Sequence, residues 1–208
     1  MNAPLDHYPI RHPSRVKTPI ETEIKLRVDG SGKAGVAKAR ALLRLHGFTI
    51  IKPRVFEQNL VLDDGRDTLR ESNRLLRVRA AGKIFTCTFK GPGLPSRHKR
   101  REELEFSVDD FESCLAVFAA LGFPVSCRYE KYRTEFARDK EPGHITLDET
   151  PIGVFMELEG PARWIDRTAK ALGFPRTAYI TGSYRTLYEV WCRECGIEPQ
   201  DMQFSRSR

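Results

Sequence analysis

The sequence lacks the features of several protein classes. It has no apolar run of about 18 residues, the length that a membrane-spanning helix needs. Residues 1–18 lack the apolar segment of a secretory signal, and we expect them to form a flexible N-terminal tail. The five cysteines are odd in number and follow no disulfide framework, which predicts reduced thiols and a cytoplasmic location. We find no internal repeat of solenoid length and no low-complexity segment.

The composition is that of a globular protein. The chain has 208 residues, of which 40% are hydrophobic and 30% charged, enough for one domain with a real core. We predict a folded domain over residues 19–196 and a frayed C-terminal tail over 197–208. The net charge of +7 indicates an anionic partner, which could be nucleic acid, a phosphorylated small molecule or a membrane surface.

One stretch near the N-terminus alternates strictly between apolar and charged residues. Ile20, Ile24, Leu26 and Val28 share one face with Thr22, whereas the other face carries Glu21, Glu23, Lys25 and Arg27. A period of two predicts a β-strand. Taken alone, the pattern also fits a solvated edge strand whose charges prevent aggregation.

The same pattern returns in the later strands. Their polar faces carry the acids Glu103, Glu105, Glu135, Asp148, Glu157 and Glu159, and the bases Arg77, Arg79, Lys90, Arg101, Lys131 and Arg133. Amphipathic helices interrupt the strands without the regular βα alternation of a parallel sheet. We therefore predict an α+β fold, an antiparallel eight-stranded β-barrel with helices packed outside and the charged faces inside.

A charged barrel interior predicts a bound ligand, because unpaired buried charge is costly. Acids spaced two residues apart, such as Glu21 and Glu23 or Glu157 and Glu159, can hold Mg²⁺ or Mn²⁺. Clustered arginine and lysine side chains suit phosphate oxygens. Both features in one tunnel predict a polyphosphate substrate.

The sequence also resembles a known family. Glu21-Thr22-Glu23-Ile24-Lys25 matches the ExExK signature of the CYTH superfamily, the triphosphate tunnel metalloenzymes. Leu76-Arg77-Val78-Arg79 resembles its paired-arginine strand and Thr88-Phe89-Lys90-Gly91-Pro92 its lysine strand. Later charged strands follow in the family's order, so the resemblance spans about residues 19–188. It implies a tunnel-shaped barrel that binds a divalent metal, Mg²⁺ or Mn²⁺, and a triphosphate.

The resemblance also implies roles for single residues. The metal ligands would be Glu21, Glu23, Glu157 and Glu159, and Asp148 would hold or orient a metal or water. The triphosphate would be bound by Lys25, Arg77, Arg79, Lys90, Lys131 and Arg133. From the strand pattern we predict that Arg27 and Arg101 also bind it, and that Lys25 and Asp148 are catalytic. Glu103 and Glu105 stay open between metal binding and structural pairing, and Glu135 is a further candidate site residue.

Three hypotheses for the function are open, two enzymatic and one non-catalytic. Residues 56–59 and 147–153 resemble the class IV adenylyl cyclase-like branch, which implies conversion of ATP to cyclic AMP and pyrophosphate. The His-Phe pair that some of these cyclases carry before ExExK is absent from residues 16–20. The first alternative is hydrolysis of tripolyphosphate or thiamine triphosphate, and the second is a non-catalytic binder of polyphosphate, nucleotide or RNA. We expect a small-molecule triphosphate as the partner rather than a membrane or nucleic acid, and a homodimer is left open.

Overall fold

The computed structural model describes residues 19–30 and 32–205. The predicted N-terminal tail over 1–18 lies outside these residues. The strands are β1 (Ile20–Arg27), β2 (Thr49–Leu62), β3 (Leu75–Ala81), β4 (Ile84–Lys90), β5 (Lys99–Val108), β6 (Val125–Ala137), β7 (His144–Thr150) and β8 (Gly153–Glu159). The helices are α1 (Gly32–Leu45), α2 (Thr68–Glu71), α3 (Phe111–Ala120), α4 (Ala162–Ala171) and α5 (Tyr184–Cys195). Arg176–Ala178 forms a short 3₁₀ turn.

The eight strands close into one barrel, in the order β1-β5-β4-β3-β2-β6-β7-β8. All neighbouring pairs are antiparallel. The first strand closes the barrel, because Ile20 lies opposite Glu102 of β5 and Glu23 lies opposite Glu159 of β8. The predicted fold class, an antiparallel barrel with external helices, is confirmed.

The apolar core lies outside the barrel wall, between the strands and the helices. One cluster joins the outer face of β1, β7 and β8, including Ile24, Ile145 and Met156, to Leu43 of α1 and Ile165 of α4, all fully buried. A second cluster packs α3 against β3 and β4. Each fully buried apolar side chain contributes about 1.5 to 3 kcal/mol. Because the apolar faces turn outward to the helices, the charged faces must line the interior.

The C-terminal segment, residues 201–204, extends the barrel wall along β6. Met202 is 2% exposed and forms a parallel bridge with Tyr129 of β6. Its N–H donates to the Arg128 carbonyl at 3.0 Å, and its carbonyl accepts from the Glu130 N–H at 2.9 Å. The prediction of a frayed tail over 197–208 is therefore wrong for this stretch. The cause is geometric: β6 begins several residues before its pairing with β7, and Met202 satisfies the backbone groups left over.

In the part of the chain that the structure describes, no helix is long and apolar enough to cross a membrane.

Candidate active site inside the barrel

The barrel encloses a cavity of about 590 Å³ whose lining carries nine basic and seven acidic side chains. It brings together fourteen of the sixteen predicted site residues. They are Glu21, Glu23, Lys25, Arg77, Arg79, Lys90, Arg101, Glu103, Glu105, Lys131, Arg133, Glu135, Glu157 and Glu159. The surplus of two basic groups leaves the lining net positive, which suits an anionic ligand.

Arg27 and Asp148 are the two predicted residues that do not line this cavity. Arg27 is exposed at the end of β1, where its guanidinium stacks 4.9 Å from the Phe155 ring centroid and Nη1 donates to the Ile152 carbonyl. Asp148 is fully buried behind the lining, with both carboxylate oxygens already occupied. Arg27 was predicted to face inward because apolar and charged residues alternate along β1. That alternation continues to the end of the strand, but the cavity ends before Arg27.

Lys25 lies at the centre of a buried ion-pair network. Its Nζ is 3.1 Å from Glu23 Oε1 and 3.0 Å from Glu157 Oε1. Burial alone would lower the pKa of Lys25, but Glu157 and Glu23 outweigh it and raise that pKa. Burial likewise would raise the pKa of Glu157, yet Lys25 and Arg133 hold it well below its usual range. These groups are therefore ionised and mutually neutralised.

Asp148 anchors two basic side chains of β6 from behind. Arg133 makes a two-pronged contact with it, at 2.7 Å from Nε and 2.6 Å from Nη2, and Arg133 also contacts Glu157. Lys131 Nζ donates to Asp148 Oδ2 at 2.9 Å. The Tyr184 hydroxyl donates to the same oxygen at 2.7 Å. Asp148 thus fixes the groups that face the cavity and does not face it itself.

Carboxylates crowd together at one end of the cavity. Glu23 and Glu159 lie directly opposite each other on β1 and β8, and Glu21 lies two residues before Glu23. Burial, followed by the charges of Glu21 and Glu23, raises the pKa of Glu159 to about 7. Burial, followed by Glu23 and Glu103 and offset by Lys90, raises the pKa of Glu21 to about 7. Facing like charges are destabilising, and a cation between them would remove that cost.

This end of the cavity fits a divalent metal in its chemistry. The donors are all carboxylate oxygens, which hard cations such as Mg²⁺ prefer. Lysines hold two of them, because Lys90 Nζ lies 2.5 Å from Glu21 Oε2 and Lys99 Nζ lies 2.6 Å from Glu23 Oε1. Among the described residues, no three acidic, histidine or cysteine side chains are yet arranged around one point. Metal binding at Glu21 and Glu23 would therefore require these lysines to move away.

Three arginines of β3 and β5 are much less neutralised than Lys25. Arg77 donates to the Thr88 hydroxyl at 3.0 Å and lies 3.8 Å from Glu105, and Arg79 lies 3.6 Å from Glu57. Arg101 is 7% exposed and has no carboxylate within 4 Å among residues 19–30 and 32–205. Its Nε has no hydrogen-bond partner there. A buried guanidinium without a partner is costly, so this wall is suited to phosphate oxygens.

The structure adds site residues that the sequence reasoning missed. Lys99 lines the cavity, and the alternation through Arg101 and Glu103 could have placed it on the inner face of β5. Glu57 is buried 3.6 Å from both Arg79 and Lys131, and alternation along β2 gives the same signal. Tyr184 had no such signal, because it enters from α5 rather than from a strand.

Comparisons with known proteins agree with this architecture. The model of the CYTH domain matches residues 19–171. A Methanocaldococcus jannaschii protein named "Putative adenylate cyclase" is 31% identical over 154 residues, which cover 74% of this chain and 83% of that protein.

Two solved structures share the fold. One, from Vibrio parahaemolyticus and also titled a "putative adenylate cyclase", has a TM-score of 0.68 at 19% identity, covering 81% of this chain and 97% of that chain. The other, from Hippeastrum, has a TM-score of 0.54 at 18% identity, covering 86% of this chain and 97% of that chain. That protein is described as having a dominant triphosphatase activity. With a barrel of this topology and a family model that matches most of its length, the chain belongs to the CYTH family.

Proposed function

We propose that this protein is a divalent-metal-dependent enzyme that acts on a triphosphate inside the barrel. The observation that carries the proposal is the division of one cavity into a carboxylate-crowded end and a wall of under-neutralised arginines. A simple anion binder gains nothing from carboxylates beside its phosphates. A metal enzyme needs both kinds of group.

Different residues of the chain would bind the metal, bind the phosphates and position these groups. Glu21, Glu23, Glu157 and Glu159 would hold Mg²⁺ or Mn²⁺. Six basic side chains would bind the phosphate oxygens, orient the phosphate chain and offset the charge of the leaving group. They are Arg77, Arg79, Lys90, Arg101, Lys131 and Arg133. Lys25, which contacts Glu23 and Glu157 in the structure, would donate to an oxygen of the reacting phosphate. Asp148 would act through Lys131 and Arg133, as a positioning residue.

The first candidate reaction is cyclisation of ATP. The 3′-hydroxyl oxygen forms a bond to the α-phosphorus and gives up its proton to solvent, the bond from that phosphorus to the bridging oxygen breaks, and pyrophosphate leaves with the electron pair. A bound divalent ion would supply polarisation of the phosphate and a lower pKa for the attacking hydroxyl. The name of the 31% identical relative supports this reaction as the first to test.

The second candidate is hydrolysis of a triphosphate such as tripolyphosphate or thiamine triphosphate, with water as the nucleophile. A specific feature favours it: 16 of the 23 residues that line the cavity are charged, whereas five are apolar or aromatic, namely Pro19, Ile20, Leu75, Tyr129 and Tyr184. Inorganic tripolyphosphate needs no apolar surface, whereas an adenine base gains from one.

The deciding experiment is product analysis. The purified protein is incubated with ATP, tripolyphosphate or thiamine triphosphate, each with Mg²⁺, with Mn²⁺ or with a chelator. Cyclic AMP with equimolar pyrophosphate identifies a cyclase, and orthophosphate from tripolyphosphate without cyclic AMP identifies a triphosphatase. Turnover that persists in the chelator contradicts the metal requirement.

If no product forms under any of these conditions, the enzymatic proposal is contradicted. Metal-independent RNA binding whose affinity falls steeply with salt would then favour a nucleic-acid binder.

A further inference from the structure

A second, smaller cavity adjoins the barrel interior at the end where α5 begins. This side chamber has a volume of about 270 Å³ and lies between the end of β2, the segment that leads into β3, and the first turn of α5. Its walls include Val61, Leu62, Asp63, Arg70, Arg74 and Arg185. Leu75, Arg101, Tyr129 and Ser183 line both cavities, so the two meet there.

The basic groups of the side chamber differ in how far they are neutralised. Arg70 is held by both oxygens of Glu189, at 2.7 and 2.9 Å, and Arg185 contacts the same carboxylate at 3.2 Å. By contrast, Arg74 makes only a 2.9 Å bond to the Ser72 hydroxyl and has no carboxylate partner in the described part of the chain. Two guanidinium groups, those of Arg74 and Arg101, are therefore available to an incoming anion.

The single acid of the chamber does not cancel this charge. The carboxylate oxygens of Asp63 accept hydrogen bonds from the backbone N–H groups of Asp64, Leu69 and Arg70, at 2.9 to 3.0 Å. Those contacts fix the turn that leads into α2 and leave the carboxylate committed to the backbone. The net field of the chamber is accordingly positive.

The start of α5 adds a second source of positive potential. This helix has 12 residues and begins at Tyr184, with Ser183 as its N-cap. Helix N-termini favour anions through the aligned peptide dipoles. Independently of the helix, Arg101 is more than nine-tenths buried in the shared wall, with an Nε that lacks a partner. The apolar walls of Val61, Leu62 and Leu75 strengthen electrostatic attraction by excluding water.

We propose that the side chamber binds a phosphoryl group outside the main cavity, between Arg74 and Arg101. The phosphoryl group has two sources: a free phosphate or pyrophosphate, or a terminal phosphate of a chain longer than a triphosphate. A product anion held there would occupy the protein together with a substrate in the barrel.

The test uses the full chain and two matched variants. Arg74→Gln removes a guanidinium that lines the side chamber but not the main cavity. Arg44→Gln, on the exposed side of α1, removes the same charge at a position outside both cavities. Pyrophosphate is titrated by calorimetry without metal, so the readout needs no turnover. We expect two classes of site in the wild type. Arg74→Gln should weaken one class by roughly three- to tenfold, as expected for a lost charge-assisted hydrogen bond, and Arg44→Gln should weaken neither.

Kinetics separates the two sources. If the source is free product, pyrophosphate inhibits the wild type by a mixed pattern and Arg74→Gln by a purely competitive one. If the source is the substrate, Arg74→Gln raises the KM for tetraphosphate but not for tripolyphosphate.

Equal behaviour of Arg74→Gln and Arg44→Gln in both assays overturns the side-chamber proposal. A wild type that binds two pyrophosphates yet turns over no triphosphate contradicts the proposed function alone, so the two failures can be told apart.

Discussion

Two walls of the same cavity differ in how closely carboxylates pair with their basic side chains. On β1, β6 and β8, Lys25, Lys131 and Arg133 each contact a carboxylate within about 3 Å. On β3 and β5, Arg77 and Arg101 have a distant carboxylate or none. The first wall is neutralised by the protein itself, so a ligand must displace existing pairs there. On the second wall Lys99 is paired with Glu23, but Arg77 and Arg101 keep their positive charge for a ligand, so phosphate binding costs less at these two arginines.

The largest effect is expected at Glu157, the centre of the paired wall. Glu157→Gln keeps the side-chain volume but removes a charge shared by Lys25 and Arg133. We expect metal-dependent turnover to fall by about a hundredfold or more, because a metal ligand and the partner of Lys25 are lost together. Steady-state rates measured across a Mn²⁺ titration check this, with the exposed Glu112→Gln on α3 as the control. Wild-type rates in Glu157→Gln would remove this residue from the metal site.

Asp148 tests whether the paired wall stabilises the fold. Asp148→Ala leaves Lys131, Arg133 and the Tyr184 hydroxyl without their acceptor in a fully buried place. We expect the free energy of unfolding to fall by about 3 to 5 kcal/mol, the usual cost of an orphaned buried charge. Urea denaturation measures it. Asp29→Ala, which breaks an exposed ion pair with Lys38, should leave the midpoint unchanged.

A smaller loss is expected where the C-terminal segment closes the gap in the wall. Met202→Ala opens a cavity next to Tyr129 and should lower the free energy of unfolding by about 2 to 3 kcal/mol. Leu45→Ala is a fair control, because Leu45 is 81% exposed at the end of α1. Equal stability of the two variants would mean that the buried Met202 side chain contributes no more to stability than the exposed Leu45 side chain.

The smallest effect is expected on the under-neutralised wall, where phosphate contacts are shared among several arginines. Arg77→Ala should lower kcat/KM for the triphosphate by about tenfold and cost less stability than Asp148→Ala, since its ion pair with Glu105 is long and its hydrogen bonds go to the neutral hydroxyls of Thr88 and Tyr129. Initial-rate kinetics measures this, beside the exposed Arg66→Ala as control. A loss of stability without a loss of kcat/KM would make Arg77 a structural residue.

Alternation along the strands was enough to predict most of this site. Once the apolar face of β1 turns toward the helices, Glu21, Glu23 and Lys25 must face inward, and the same argument holds for Arg77 and Arg79. The pattern fails where local periodicity stops determining position. Arg27 keeps the parity of Lys25 but lies beyond the cavity, against Phe155.

The contacts that close the barrel could not be predicted in this way. Tyr184 and Met202 reach the wall from a helix and from an irregular segment, and their partners are distant in sequence. The pairing of Asp148 with Lys131, Arg133 and Tyr184 likewise depends on packing between β6, β7 and α5. A period of two reports which face a residue occupies, but it does not report which charge on that face finds a partner.

The closure of the barrel by β1 has a consequence for the order of folding. Both neighbours of β1, the strands β5 and β8, are made long after it, and its contact with β8 joins residue 27 to residue 155. During synthesis Lys25 of the first strand therefore remains without its partner Glu157 until β8 has emerged. The hairpin of β3 and β4 has no such delay, because its two strands are joined by two residues. We expect that hairpin to form early and the ion pairs of Lys25 to be among the last contacts made.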